Sequence, residues 1–515
     1  MATGMEAIVA LAGLGLAIPG VIDVLVRAGL YLEEMVKKYQ HADNTVRKFE
    51  FIGQSMARGQ LRSQLTIITM YTKNAQVDGA IVDNLDSYFR QLVNDIIKAH
   101  KLLLRVRPPS GESPDLGVLR KLKVTFLDEI KMKSCLDRIL ATEIAFVNNS
   151  LLCFQIASGP DPDLLTKYEF VVPHETITET PGTRLPHSPM LIASANYKWK
   201  DGSQKTSDVI LERRPVHLGG IEDAGILVRK LQAKPCTEGI LPCLGFRQNP
   251  HNQQEFDLIF ELPTPSERES LWQFLRRADR PTSLSVRKSL CEKLAQAISF
   301  VHGIGMVHKN IRPANILLLK PSAVSTATTL FLGDWTLVRS FRTLTAHTAG
   351  KNQWAEKLYL HPVRQKQNVE DRYTILHDIY SLGVCMLELL LGGDPLVLGG
   401  DDDASFDLCP LLRAAFVSSG LLPGVVANAV SGKFFEDPEH VKAVLVKVAK
   451  EELPRRVGDK LATLTVKCLE GFDGRFGEAD IIRQDNVTPE QIAKENANGV
   501  KFISLVQLEL NGISV

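Results

Sequence analysis

The chain has 515 residues, 44% hydrophobic and 23% charged, with a formal net charge of +1. The length predicts two or three domains, because single cores rarely grow past about 250–300 residues. The near-neutral balance argues against a nucleic-acid partner, and 8 cysteines without a CxxC pair or metal-ligand spacing argue for reduced thiols in a cytoplasmic protein.

The chain opens on an apolar run, Ala7 to Ile22, with Ala7, Leu11, Leu14 and Ile18 at helical spacing. It falls short of the roughly 18–20 residues that span a bilayer and lacks a basic segment before it, so neither a spanning helix nor a secretory signal is expected. Amphipathic stretches follow: Phe49, Ile52 and Met56; Leu85, Tyr88, Phe89, Leu92 and Ile96; Leu122, Phe126, Ile130, Leu136 and Ile139. Steps of three and four place each set on one helix face. Between the last two lies a Pro/Gly/Ser loop, Pro108 to Gly117. The pattern predicts an antiparallel helical bundle over residues 1–157, followed by an aperiodic Thr/Pro/His-rich linker at 158–184.

Residues 185–515 change character. Short β-type runs come first, at Met190 to Ile192, Asp208 to Glu212 and Phe256 to Phe260, with one helical stretch near Ile221 to Leu231. Mostly helical patterns follow from Ser270. Four segments in order then resemble protein-kinase motifs. Val307-His308-Lys309-Asn310-Ile311-Arg312-Pro313-Ala314-Asn315 resembles the catalytic loop, HRDxxxxN. Asp334-Trp335-Thr336 resembles the metal-binding DFG segment. His361-Pro362-Val363 resembles APE, and His377-Asp378-Ile379-Tyr380-Ser381-Leu382-Gly383 resembles the start of the helix that anchors the large lobe. The resemblance implies an α + α/β multidomain chain: an N-terminal helical bundle, then a bilobal protein-kinase fold.

The same motifs depart from the family at the chemistry. Asn310 stands where the catalytic Asp accepts the substrate proton, and an amide has no useful basicity. Arg312 replaces the usual Lys, Val363 replaces the APE Glu, and no GxGxxG precedes or follows Met190 to Tyr197. The strand expected to end VAIK reads Val209-Ile210-Leu211-Glu212-Arg213-Arg214, with Arg214 or Arg213 as the nearest cation. The resemblance leaves Asn315 and Asp334 as candidate metal ligands and, with Arg214, as candidate contacts for ATP and magnesium. It gives His308 and Asp378 architectural roles, His308 against the Asp-Trp-Thr segment and Asp378 on the catalytic-loop backbone. Trp335 is a candidate plug for the nucleotide pocket.

The kinase-like segments also resemble a degenerate kinase family of filamentous fungi, whose members often carry an N-terminal HeLo, or prion-inhibition and propagation, domain. Glu6 to Leu14 and the bundle after it are similar to that domain. The architecture is similar to that of the mixed lineage kinase domain-like pseudokinase. The resemblance implies a signalling pseudokinase whose bundle acts at membranes in regulated cell death or incompatibility, with protein partners, self-assembly and anionic lipid on activation. Lys98, Lys101, Arg105, Arg107, Arg120, Lys121, Lys123, Lys131 and Lys133 outnumber Glu112, Asp115, Asp128 and Glu129, a surplus that suits anionic lipid or simply a solvated face. Two alternatives stand beside this reading: a protein-interaction scaffold without membrane activity, and a residual ATP-binding Ser/Thr kinase.

Overall fold

The computed structural model describes scattered positions before residue 143 and most of residues 177–513, with interruptions at several loops. In the first part, described residues within 87–98 and 131–142 are helical. Leu92, Ile96, Cys135 and Ile139 are buried there. Asp95 joins the two stretches. Its carbonyl accepts from Cys135 Sγ at 3.3 Å, and its carboxylate lies 3.4 Å from Arg138 and 3.2 Å from Lys98. The apolar run Ala7 to Ile22, the Pro108 to Gly117 loop and the rest of the expected bundle lie outside the described residues.

The sheet-rich lobe has five antiparallel strands: β1 (Ile177–Arg184), β2 (Leu191–Lys198), β3 (Gln204–Pro215), β4 (Cys243–Gln248) and β5 (Glu255–Glu261), in the order β1-β2-β3-β5-β4. The β-branched and aliphatic run Val209-Ile210-Leu211 pairs with Glu261-Phe260-Ile259, and all six are at the centre of the sheet. A helical segment at 224–231 buries Ala224, Leu227, Val228 and Leu231. The sheet begins earlier than the sequence suggested, because β1 runs through the stretch expected to be linker. Its Thr- and Pro-rich sequence has no alternation, but its backbone pairs with β2 from Ile177↔Ala195 to Arg184↔Leu191. Tertiary pairing supplies what local pattern lacked.

The second lobe is helical. After β6 (Glu267–Ser270) come α1 (Leu271–Leu275) and α2 (Leu284–Gly303), opened by Ser270 and Ser283 caps. A small sheet, β6-β8-β9, holds β8 (Ile316–Lys320) and β9 (Thr329–Leu332), while β7 (Met306–Val307) pairs with β10 (Arg339–Ser340). Next are α3 (Trp354–Lys357), α4 (Ile375–Leu391), the ribbon β11 (Val397–Gly399) with β12 (Phe406–Leu408), then α5 (Pro410–Ser418), α6 (Pro438–Val457), α7 (Asp459–Glu470) and α8 (Pro489–Asn511). α4 is mostly apolar and is buried along nearly its whole length, its polar residues His377, Asp378, Ser381 and Glu388 included. Gly383 lets α7 approach it: a Cβ there would lie 2.9 Å from Cys468 Cβ and 3.0 Å from backbone. The middle of α8 comes as close to the first residue of α4, where a Cβ on Gly499 would sit 2.6 Å from Ile375 Cγ2.

Candidate functional site

The site forms where β7, β8 and β9 end, under β3. The loop between β7 and β8 carries His308 to Asn315, closed by a 3-10 turn at Pro313–Asn315. Asp378, in the first turn of α4, holds that loop. Its carboxylate accepts from His308 N (2.7 Å), Lys309 N (2.9 Å) and the Tyr373 hydroxyl (2.9 Å), with His302 Nε2 at 3.0 Å. Burial pushes the Asp378 pKa up, but the hydrogen bonds and charges of His302 and His308 outweigh it and leave the group below its ordinary value. These bonds also sustain Lys309 at φ 73°, a left-handed conformation costly for a residue with a Cβ. His308 is fully buried, edge-on to Trp335 at 5.5 Å between ring centroids.

Asp334, also left-handed at φ 61°, sits at the centre. Its Oδ2 accepts from Asn310 Nδ2 at 2.6 Å and Asn315 Nδ2 at 3.0 Å, and its Oδ1 from the Thr336 hydroxyl. Asn315 Nδ2 also reaches the Asn310 carbonyl at 3.0 Å. Arg312 turns away to Glu356 of α3, at 2.5 Å. From the small lobe, Glu212 of β3 descends on the same segment and accepts the backbone N–H of Asp334 at 2.7 Å and that of Trp335 at 2.5 Å. Trp335 stacks on Phe260 of β5 and donates its indole N–H to Leu332 O at 3.2 Å.

Comparison with known proteins decides what this arrangement is. The protein kinase domain family model matches residues 236–415. Residues 236–415 form a protein kinase domain. Human cyclin-dependent kinase 20 is 29% identical over 147 residues, 28% of this chain and 38% of that protein. The protein kinase and PP2C-like domain-containing protein of Arabidopsis thaliana is 25% identical over 207 residues, 36% of this chain and 29% of its own length. Serine/threonine-protein kinase PknB of Mycobacterium leprae is 29% identical over 110 residues, 21% of this chain and 16% of its own. The chain thus spans 38% or less of the length of these relatives.

Strands β1 to β3 precede the matched kinase-domain region, yet β3 pairs along its length with β5 inside it. In that lobe the register of Val209-Ile210-Leu211-Glu212 against VAIK sets a carboxylate where a kinase has its lysine. Sequence reading looked past Glu212 to the arginines after it, although the motif register pointed to it. Burial, and next the charge of Asp334, push the Glu212 carboxyl up to about 8, against the two amide donors that favour its ionised form. Arg214 is buried with its guanidinium 5.9 Å from the centre of the Phe256 ring.

β1 ends at Arg184 and β2 starts at Leu191, so the segment after Met190 is β2 itself. The sequence joining the two strands contains no glycine, and Leu185 N donates to Met190 O at 3.2 Å. Met190 is 1% exposed and folds onto Gly333, where an added Cβ would stand 2.5 Å from its sulfur. Trp335 lies beneath, packed between Phe260 and His308. Met190 therefore fills the space over the Gly333-Asp334 step.

These residues do not fit the metal and triphosphate that a kinase domain uses. Both carboxylate oxygens of Asp334 already accept protein donors, and a carboxylate replaces the phosphate-binding lysine. Of the expected ligand atoms, Asn315 Oδ1 alone is buried without a hydrogen-bond partner. Among the described residues no group of three or more His, Cys, Asp or Glu is placed to hold a metal, and no helix is long and apolar enough to cross a membrane.

Proposed function

We propose that this chain is a signalling pseudokinase, a kinase-fold module that recognises protein partners and does not transfer phosphate. The observation that carries this is Asn310: the amide at the base position donates to Asp334 at 2.6 Å, so the two groups that should handle proton and metal are spent on each other. Glu212 and Met190 support it from the nucleotide side, by charge and by volume. A thermal-shift titration of the full chain with ATP and Mg²⁺ or Mn²⁺ tests it. A binder at 100 times its Kd gains about 2.7 kcal/mol; a flat curve at millimolar nucleotide is expected, and a saturating rise overturns the reading.

The membrane role implied by the HeLo resemblance is a second part of the proposal. It is supported by the Ala7 to Ile22 run and the basic surplus between Lys98 and Lys133. Dye release from phosphatidylserine liposomes by the full chain is its test, and intact liposomes at saturating protein remove it.

A further inference from the structure

Two ionisable side chains of the small lobe end on helix termini of the large lobe. The 3-10 turn Trp335–Leu337 begins at Asp334, whose own side chain makes no capping bond to it. Glu212 of β3 caps it instead, accepting from Asp334 N at 2.7 Å and Trp335 N at 2.5 Å. On the large lobe's other contact, α2 stops at Gly303 with Ile304 as its cap. The Ile304 carbonyl is one of the acceptors that a helix leaves open at its C-terminus. It accepts at 2.7 Å from Lys230 Nζ, which belongs to the helical segment at 224–231. A cation suits that end of a helix, where the carbonyls gather negative charge. Both anchors are buried: Glu212 is 1% exposed and Lys230 5%.

The anchors leave from different elements of the small lobe and reach different elements of the large one. Other interlobe contacts accompany them. Met190 folds onto Gly333, Phe260 stacks on Trp335 at 6.0 Å, and Gly239 O accepts from Leu332 N at 2.8 Å. A Cβ on Gly239 would stand 2.8 Å from Ala297 Cβ of α2, so backbone meets helix there without a side chain between. The negative charge of Asp334 works against an ionised Glu212, and the two amide donors work for it. A single anchor would leave the lobes free to turn about it. Two separate anchors remove that freedom, because parting the lobes breaks both and opens the packed contacts as well.

We infer that Glu212 and Lys230 lock the two lobes in one closed arrangement, suppressing the hinge opening by which kinase domains respond to ligands. The lock goes beyond the pseudokinase reading and does not depend on it. Its test is an electron–electron distance measurement on the full chain. Nitroxides are attached through a ketone-bearing amino acid at His251 of the small lobe and Lys447 of the large lobe, both exposed, which leaves the cysteines untouched.

The wild-type chain should give one narrow distance. Lys230→Met keeps the aliphatic stem and removes the ammonium. Glu212→Gln sets an NH₂ against one of the two amide N–H groups. Each should raise the open population by about tenfold or more, seen as a second, longer distance. Leu461→Ala is the control for lost stability alone. Leu461 is buried in α7, which packs on α4, α6 and α8. That variant should melt earlier and keep the wild-type distance. A broad or two-peaked distribution in the wild-type chain overturns the lock, and so does a distribution unchanged in both anchor variants. Should the anchor variants fail to fold, the wild-type distribution decides. Nucleotide binding in the thermal-shift titration would strike the pseudokinase reading and leave the lock standing, so the two fail separately.

Discussion

At position 310 the side chain is an amide, and in the fold it donates to the Asp334 carboxylate. Asn310→Asp would put a second carboxylate against Asp334 Oδ2, where an N–H now donates at 2.6 Å. The lost hydrogen bond and the new like-charge contact should cost about 1–3 kcal/mol in urea unfolding. Labelled phosphate transfer should remain absent, because Glu212 and Met190 are unchanged; a stable, active variant would contradict this. Glu212 gives a second residue-scale prediction. Its carboxyl moves from 4.5 to about 8 on folding, so the folded state holds its proton more tightly. Between those values the native chain carries more bound protons, and this group's contribution to stability falls as pH rises, by a few kcal/mol in all. Glu212→Gln should flatten that part of a denaturant-midpoint series from pH 5 to 8.5; an unchanged slope would show that another group sets it.

Between elements, the decisive contacts are close approaches and one shared anchor. Asp378 connects α4 to the catalytic loop through buried bonds to two backbone amides and to the side chains of Tyr373 and His302. Asp378→Asn keeps the shape but loses the charge, and should cost about 3–5 kcal/mol by thermal or urea unfolding. Because its pKa is depressed in the fold, the wild-type contribution is present above about pH 4 and is lost as pH drops below the unfolded value. Gly383 makes the α4–α7 contact possible. Gly383→Ala meets Cys468 backbone at 3.0 Å, which cannot swing aside as a side-chain tip can, so a loss of about 1–3 kcal/mol is expected. A neutral result would mean that α7 shifts freely.

Over the whole molecule, the kinase-family match ends at residue 415, but the core continues. Val500, Phe502, Ile503, Val506 and Leu510 of α8 are 0–1% exposed, in one core with α2 and α4. At about 1.5–3 kcal/mol per buried apolar side chain, their loss is comparable with the roughly 5–15 kcal/mol that holds a domain folded. Deleting residues 489–515 should therefore abolish a cooperative melting transition by circular dichroism. A sharp transition in the truncated chain would place α8 outside the folding unit.

The kinase-like lobes were legible from sequence because their motifs are local. His308 to Asn315, Asp334 to Thr336 and His377 to Gly383 each carry their signal within a dozen residues. The β-runs of β3 and β5 were legible because buried central strands read as apolar runs. β1 was hidden, since a Thr/Pro segment becomes a strand only when β2 is there to pair with it. The roles of Glu212, Met190 and Glu356 were hidden for the same physical reason. Each acts on a residue far along the chain, Glu212 on Asp334, Met190 on Gly333 and Glu356 on Arg312. Sequence alone determined that an amide, Asn310, stands in the register where the catalytic-loop motif has an aspartate. Tertiary structure decided which groups meet there, because buried hydrogen bonds and van der Waals contact depend on what folding brings within about 3–4 Å, not on spacing along the chain.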